Sequence, residues 1–291
     1  PNLVNTAYLG NGNALWRTDD NGTSFVQVHD FGEKVTSIEV AYSDPNTIYA
    51  CTYLGWWDAK NVWRSTDAGA TWTTITPSSA QLNGNTWVPY DIAVSGTDAQ
   101  TIWLLRTSQY GDYPNHDGYV AYKSTNGGTS WTNITTTGLN GEWPTNITHQ
   151  LGSNGEVYIG TRRAVFRRND AAPTWTLWNA GLPARIYSTR LLINYKEGKI
   201  RNGTDRSVWE SSLETPAAPL ANFAADKRTV TCLAPSVQFW DNSALSDISP
   251  TWSWSFPGGS PSTSTSRSPL VTYNTPGQYT VSLTVTDANG C

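Results

Sequence analysis

The chain of 291 residues contains no methionine, and only 14% of its residues are charged. Without an initiator Met it is expected to be a processed chain or a fragment. Its 19 Lys and Arg against 23 Asp and Glu leave a net charge of −4. That excludes the clustered basic groove that a nucleic-acid partner requires. No apolar run approaches the roughly 18 residues of a membrane span, so no transmembrane segment is expected, and Pro1 opens no signal peptide. Three cysteines are too few to define a disulfide framework or a redox compartment. No CxxC, Walker loop or nucleophile elbow occurs, and no cofactor is expected.

Aromatic residues are abundant instead. Trp numbers 15 and Tyr 14, and aromatics reach 12%, enough to bury a large core and exclude disorder. Together with frequent Thr and Val this is strand composition. The length suits one large domain or two. The many Asn and Thr, with few Lys and Glu, fit an extracellular protein.

One short pattern recurs along the chain. It runs Thr18-Asp19-Asp20-Asn21-Gly22-Thr23-Ser24-Phe25, then Ser65-Thr66-Asp67-Ala68-Gly69-Ala70-Thr71-Trp72, then Ser124-Thr125-Asn126-Gly127-Gly128-Thr129-Ser130-Trp131. A worn fourth copy is Arg168-Asn169-Asp170-Ala171-Ala172-Pro173-Thr174-Trp175. Asp accepts N–H bonds inside its own turn, and Gly supplies a positive φ. The aromatic is expected to fold back on the preceding strand. Those strands are Ala14–Arg17, Val62–Arg64, Val120–Lys123 and Val165–Arg167, and Val208–Ser211 is a fifth without a box. The spacing suits one four-stranded propeller blade per copy.

These residues resemble the Asp-box, or BNR, repeat. The structural box residues are then Asp20, Gly22, Phe25, Asp67, Gly69, Trp72, Asn126, Gly128, Trp131, Asp170 and Trp175. The resemblance implies an Asp-box β-propeller of the sortilin, xyloglucanase and sialidase group over residues 1–213. A second repeated turn, Asp44–Ala50 and Thr97–Trp103, echoed at Asn154–Tyr158 and Glu197–Ile200, sets the strand order. It predicts a partial first blade, three full blades and a last blade lacking its outer strand. The expected whole is an N-terminally incomplete ring of about seven blades, with a compact five-bladed ring as the competitor.

Residues 214–219 read as a Pro/Ala linker. Beyond it, short strands at Val230–Cys232, Ser236–Phe239, Thr251–Phe256 and Tyr279–Val285 predict a sandwich. The run Trp252-Ser253-Trp254-Ser255-Phe256-Pro257-Gly258-Gly259, followed by Val271–Val281, resembles the PKD domain. That implies an Ig-like β-sandwich over 220–291 with its last strand missing. The fold class is therefore all-β: propeller blades plus a sandwich. A propeller followed by PKD resembles multidomain proteins exported by Gram-negative bacteria, often by type IX secretion, so an extracellular or outer cell-surface location is expected. Cys232 and Cys291 are a disulfide candidate, and Cys51 reads as a buried apolar residue.

In Asp-box propellers the face opposite the boxes holds ligands, by resemblance. Here it would collect Trp56, Trp57, Asp58, Trp87, Tyr90, Asp91, Tyr110, Asp112, Tyr113, His116, Asp117 and Trp143. A glycosidase needs two carboxyls about 5–9.5 Å apart. Asp58, Asp91, Asp112, Asp117 and Glu142 are candidates, and no spacing selects a pair. No metal site is expected, because His116 with Asp112 and Asp117 reads as a solvated turn. The sequence thus points to a non-catalytic extracellular binding or adhesion scaffold. Its expected partner is a polysaccharide or surface protein, and membership of a larger surface complex is a further expectation. A xyloglucanase-like glycoside hydrolase and a structural component of a surface assembly are the alternatives.

Overall fold

The computed structural model describes residues 5–54, 60–78, 81, 88–107, 120–139, 141–179, 181–183, 186–214, 218–245 and 249–291. Five antiparallel sheets follow one another as blades. The first holds β1 (Ala7–Asn11), β2 (Ala14–Thr18) and β3 (Val26–Asp30). The second holds β4 (Lys34–Val40), β5 (Ile48–Tyr53), β6 (Lys60–Ser65) and β7 (Thr73–Thr74). The third holds β8 (Val88–Val94), β9 (Ile102–Thr107), β10 (Ala121–Ser124) and β11 (Thr132–Asn133). The fourth holds β12 (Pro144–His149), β13 (Val157–Thr161), β14 (Val165–Arg168) and β15 (Thr176–Leu177). The fifth holds β16 (Ser188–Asn194), β17 (Lys199–Thr204) and β18 (Val208–Ser212).

No blade buries both its faces alone, so the core lies between blades. Leu15, Phe31 and Ala50 join the first two blades. Cys51, Val62, Ile92, Leu104 and Trp131 join the second and third. Trp103, Leu105, Ile147, Ile159 and Trp175 join the third and fourth, and Tyr158, Val165, Leu191 and Ile200 join the fourth and fifth. The first strands β4, β8, β12 and β16 pack side by side along the inside of the arc. Among the described residues no comparable packing joins the fifth blade to the first.

The box turns are built by short local bonds. Ser65 Oγ donates to Asp67 Oδ1 at 2.7 Å and accepts the Gly69 N–H at 2.9 Å. Asp67 Oδ1 also accepts the Thr71 N–H at 2.8 Å. Thr18, Asp20 and Ser24 repeat this network, as do Ser124, Asn126 and Ser130. Two successive residues are left-handed in each turn, such as Ala68 at φ 58° and Gly69 at φ 92°. A side chain at Gly128 would also run into Ile75, whose Cδ1 lies 2.5 Å from the position of a Cβ. These bonds hold the Asp20 and Asp67 carboxyls down at about 2.

Two expectations about the boxes are corrected. Trp72 does fold over its own turn, its Nε1 donating to Gly69 O at 2.9 Å, but Trp131 and Trp175 reach across to the preceding blade. Trp131 Nε1 donates to Ile75 O at 2.9 Å, and Trp175 Nε1 donates to Ile134 O at 2.7 Å. Both carbonyls follow the outer strand of the preceding blade, so each Trp is a staple between blades. The other correction concerns Asp170, which does not organise a box. Arg168 occupies the position of the Ser or Thr hydroxyl, and the Asp170 carboxylate pairs with Lys123 of the third blade at 2.7 and 2.8 Å. Asn169 holds the turn instead, accepting the Ala172 N–H at 2.7 Å.

A second device repeats at the inner strands. β4, β8, β12 and β16 each carry a bulge at the same place, at Thr36, Tyr90, Thr145 and Thr189. A bulge re-aims the side chains that flank it. The residue after it reaches into the next blade: Asp91 Oδ2 accepts the Ile147 N–H at 3.0 Å, and Asn146 Oδ1 accepts the Leu191 N–H at 2.9 Å. Ser37 Oγ donates to Asp91 Oδ1 at 2.6 Å. Arg190, the equivalent residue of the fifth blade, turns its guanidinium back to 3.5 Å from Asp91. Burial pushes the Asp91 carboxyl up despite these partners. Glu39 retains a partly accessible surface. Desolvation and the Asp91 charge nevertheless raise its carboxyl to about 7, with Arg190 opposing.

The C-terminal module has two sheets. One contains β19 (Phe223–Ala225), β20 (Ser236–Asp241) and β23 (Leu270–Thr272); the other contains β21 (Thr251–Ser255), β22 (Thr263–Ser264) and β24 (Ser282–Thr286). Trp254 and Phe256 stack at 5.5 Å in its core with Val237, Phe239 and Val271. The strand expected from Tyr279 begins only at Ser282. Tyr279 stacks on Tyr273 at 5.3 Å and donates its hydroxyl to Thr275 O at 3.0 Å, which keeps the preceding segment a loop. Val230–Cys232 forms only a bridge between Thr231 and Ala234. The Cys232–Cys291 disulfide is absent: both thiols are free and exposed. Cys291 is folded back on Asp287, its N–H 2.8 Å from Oδ1. Cys51 is wholly buried, and burial pushes its thiol well up.

Trp175→Ala removes a staple that is 2% exposed and should cost about 3–5 kcal/mol in denaturant unfolding. Asp170→Ala breaks a half-exposed pair and should cost about 0–1 kcal/mol. The pH dependence has two opposite signs. Asp20 and Asp67 stabilise the fold above their usual range, and this is lost as pH falls toward 2. Glu39, raised in the folded state, destabilises it increasingly as pH rises from about 4.5 to 7. Glu39→Gln should therefore raise the unfolding midpoint at pH 7.5 and leave it unchanged at pH 4.

Candidate functional site

The boxes join third to fourth strands at one face. The opposite face carries the N-terminal ends of the first strands and the connections from second to third strands. Its described part centres on blades three to five. The bulge in β8 turns Tyr90 outward, 40% exposed, and Asp91 inward, 5% exposed. One bulge thus separates a surface aromatic from a buried latch.

Beside Tyr90 lies a shelf built on the turn between β13 and β14. Arg162 N–H donates to Trp143 O at 3.0 Å, which fixes the turn against the entrance to β12. The Arg162 guanidinium then lies 4.1 Å from the Trp143 ring centroid and 5.8 Å from that of Tyr187. Cation–π attraction at this range contributes about 0.5–1 kcal/mol at an exposed site. Tyr187 is held in turn by its N–H, which donates to Asp205 Oδ1 at 3.0 Å. Burial raises the Tyr90 phenol, with Tyr187 and Asp91 reinforcing and Arg162 opposing. Two aromatic rings, Trp143 and Tyr187, therefore flank one exposed arginine, and Tyr90 lies near enough to feel its charge. The combination offers flat apolar faces with hydroxyl and guanidinium donors, which suits a hydroxyl-rich ligand.

Carboxylates on this face have structural posts. Glu142 Oε2 accepts the Thr161 hydroxyl at 3.0 Å, and Oε1 pairs with Arg163 at 2.8 Å. Glu33 occupies the same position in the second blade. It accepts the Thr52 hydroxyl and, at 2.6 Å, the Asn61 amide. Each Glu lies two residues before its bulge pair and grips a Thr at the end of the second strand. Asp91 and Glu142, both candidates for glycosidic chemistry, are thereby corrected: their oxygens hold the fold. For Asp91 the reason is the bulge, which buries it. For Glu142 the reason is the repeated Glu–Thr contact.

Of the expected ligand face, the described residues include Tyr90, Asp91 and Trp143, and Trp143 lies against Arg162. Beside Trp143 the structure places Arg162 and Tyr187, neither of which was expected on this face. Trp56, Trp57, Asp58, Trp87, Tyr110, Asp112, Tyr113, His116 and Asp117 lie outside the described residues. Among the described residues no cluster of three or more His, Cys, Asp or Glu could hold a metal. No helix among them is long and apolar enough to cross a membrane.

Comparison with known proteins gives the following. The family model for Sortilin-Vps10 (sortilin, neurotensin receptor 3) matches residues 13–158, and that for the PKD domain matches 216–291. A xyloglucanase of Hypocrea jecorina (strain QM6a) is 32% identical over 165 residues, 55% of this chain and 17% of the relative. The chain thus spans about one sixth of that relative's length. A GH74 enzyme of Niastella koreensis aligns over 96% of this chain and 44% of its own, at 14% identity and TM-score 0.56. The GH74 xyloglucanase of Xanthomonas campestris aligns over 72% and 35%, at 15% identity and TM-score 0.54. These structures share the fold. The expectation of a non-catalytic binding or adhesion scaffold is overturned, because the relatives that match are named xyloglucanases and GH74 enzymes. They favour the alternative, a glycoside hydrolase. The family match covers half of the chain, and the chain belongs to the Sortilin-Vps10 family, with a PKD domain after its propeller blades.

Proposed function

We propose that these blades form part of a glycoside hydrolase that cleaves xyloglucan or a similar neutral polysaccharide outside the cell. The observation that carries this reading is the 32% identity to a xyloglucanase over 165 residues. The chemistry of the shelf supports it. Trp143, Tyr187 and Tyr90 offer faces for the C–H surface of sugar rings, and Arg162 offers donors for their hydroxyls.

Hydrolysis of a glycosidic bond requires an acid and a second carboxylate acting as base or nucleophile. Asp91 and Glu142 are committed to the fold. The reading therefore assigns the reacting carboxyls to Asp58, Asp112 or Asp117 of the long connections, or to the rest of the enzyme. Shelf residues position the polymer and do not touch the reacting atoms.

The full-length protein should release reducing ends from xyloglucan. Replacing the acid or base, tested by Asp58→Asn, Asp112→Asn and Asp117→Asn, should lower turnover by about 10²–10⁴-fold. No reducing ends from xyloglucan or any neutral polysaccharide in a panel would overturn the proposal. Trp143→Ala should raise KM with little change in kcat, because the shelf binds ground and transition states alike. An equal fall in kcat with KM unchanged would contradict a positioning role.

A further inference from the structure

A cleft of about 570 Å³ lies where the sandwich meets the first blade, lined by Asn5 and Asn21 on one side and Trp240, Asn242 and Arg267 on the other. Its volume falls within the about 300–1,000 Å³ usual for small-molecule sites. In β20 the side chains alternate: Val237 and Phe239 enter the sandwich core and Asp241 is buried, whereas Trp240 faces outward. Trp240 takes no part in the core cluster of its own module. The ring is half-buried and part of it lines the cleft.

The cleft is held in place by contacts between the modules. Tyr42 of the second blade donates its hydroxyl to Asn242 O at 2.9 Å and accepts the Ala244 N–H at 3.1 Å. Ala218 N–H donates to Gly152 O at 3.1 Å. Burial drives the Tyr42 phenol up to about 12, so it keeps its proton at ordinary pH. Opposite, Asn21 sits in a box turn at φ 64°, its N–H 3.1 Å from Asn5 O. Both walls are thus fixed on hydrogen-bonded backbone.

The polar groups facing the cleft are neutral or already paired. Asp241 is buried and its Oδ2 lies 3.4 Å from Arg267 Nε. That pair cancels the charge while the arginine stays largely exposed. The side-chain amides of Asn5, Asn21 and Asn242 have no hydrogen bond within the described residues. Amides both donate and accept, and this matches a hydroxyl, which does the same. An anion would face a guanidinium already neutralised. A lipid or apolar peptide would desolvate three amides without replacing their bonds.

We propose that this cleft is an accessory saccharide site, in which a sugar ring stacks on Trp240 and its hydroxyls bond to Asn21, Asn242 and Arg267. The ligand class follows from the lining; the choice of xyloglucan as ligand rests on the hydrolase reading. The site lies on the box side of the propeller, apart from the shelf at Trp143. It would hold a stretch of polymer distant from the one being cleaved.

The test follows the Trp240 indole N–H by NMR in the full chain, with its resonance identified by loss in Trp240→Phe. Xyloglucan oligosaccharides and, separately, cello-oligosaccharides are added to millimolar concentration. The Trp240 resonance should shift saturably with one of them, and the shift should persist in Trp143→Ala. In Asn21→Ala, outside both the core and the shelf, the apparent affinity should fall several-fold. A resonance unmoved by both sugar series, or one whose shift disappears with Trp143→Ala, overturns the accessory site. A shift in a protein that releases no reducing ends would refute the hydrolase and leave this site standing.

Discussion

A blade of three or four short strands has apolar side chains on both faces and can hide neither by itself. Burial of each face against the next blade is the constraint on which everything else in the propeller depends. It places Leu15 and Phe31, Val62 and Leu104, Trp103 and Ile159, and Tyr158 and Leu191 in separate seams. Hydrophobic contact is non-directional, so the angle between blades needs polar fixings. The staples at Trp131 and Trp175 supply them at the outer strands. The latches at Asp91 and Asn146 supply them at the inner strands. A blade held at both edges cannot rotate freely about its seam.

The same fixings shape the proposed ligand face. The bulge that sends Asp91 into the latch sends Tyr90 to the surface, so the surface aromatic and the interblade bond arise from one extra residue. The Glu–Thr contacts at Glu33 and Glu142 tie the entrance of a first strand to the end of the second. Arg162 completes the arrangement, since its backbone and its guanidinium both engage Trp143. Chemistry at this face would rest on a rim whose side chains are already braced.

Local features were readable in the residues alone. The box bonds span at most four positions, so Ser65, Asp67, Gly69 and Thr71 declare the turn wherever they recur. The repeated Asp44 and Asp98 turns set the strand order in the same way. Contacts between blades were not readable. The partners of Trp131 and Trp175 lie 56 and 41 residues away, and nothing local distinguishes a staple from an aromatic folded on its own strand. Asp91 looked like a surface acid because a bulge reverses the alternation of a strand. One signal was available and unused: Glu33 with Thr52, and Glu142 with Thr161, share a spacing of 19. Asp170 could also have been doubted, since Arg168 lacks the hydroxyl that a box requires. The proposed function rests on kinship, because a propeller hosts many activities on one frame.

The central claim is that the face opposite the boxes, at Tyr90, Trp143, Arg162 and Tyr187, holds the polysaccharide being processed. A crystal structure of the protein with a bound xyloglucan oligosaccharide tests it most directly. The account predicts sugar density lying across that shelf, with a ring over an aromatic face and hydroxyls at the Arg162 guanidinium. An oligosaccharide bound elsewhere, with the shelf open to solvent and unoccupied, would contradict it.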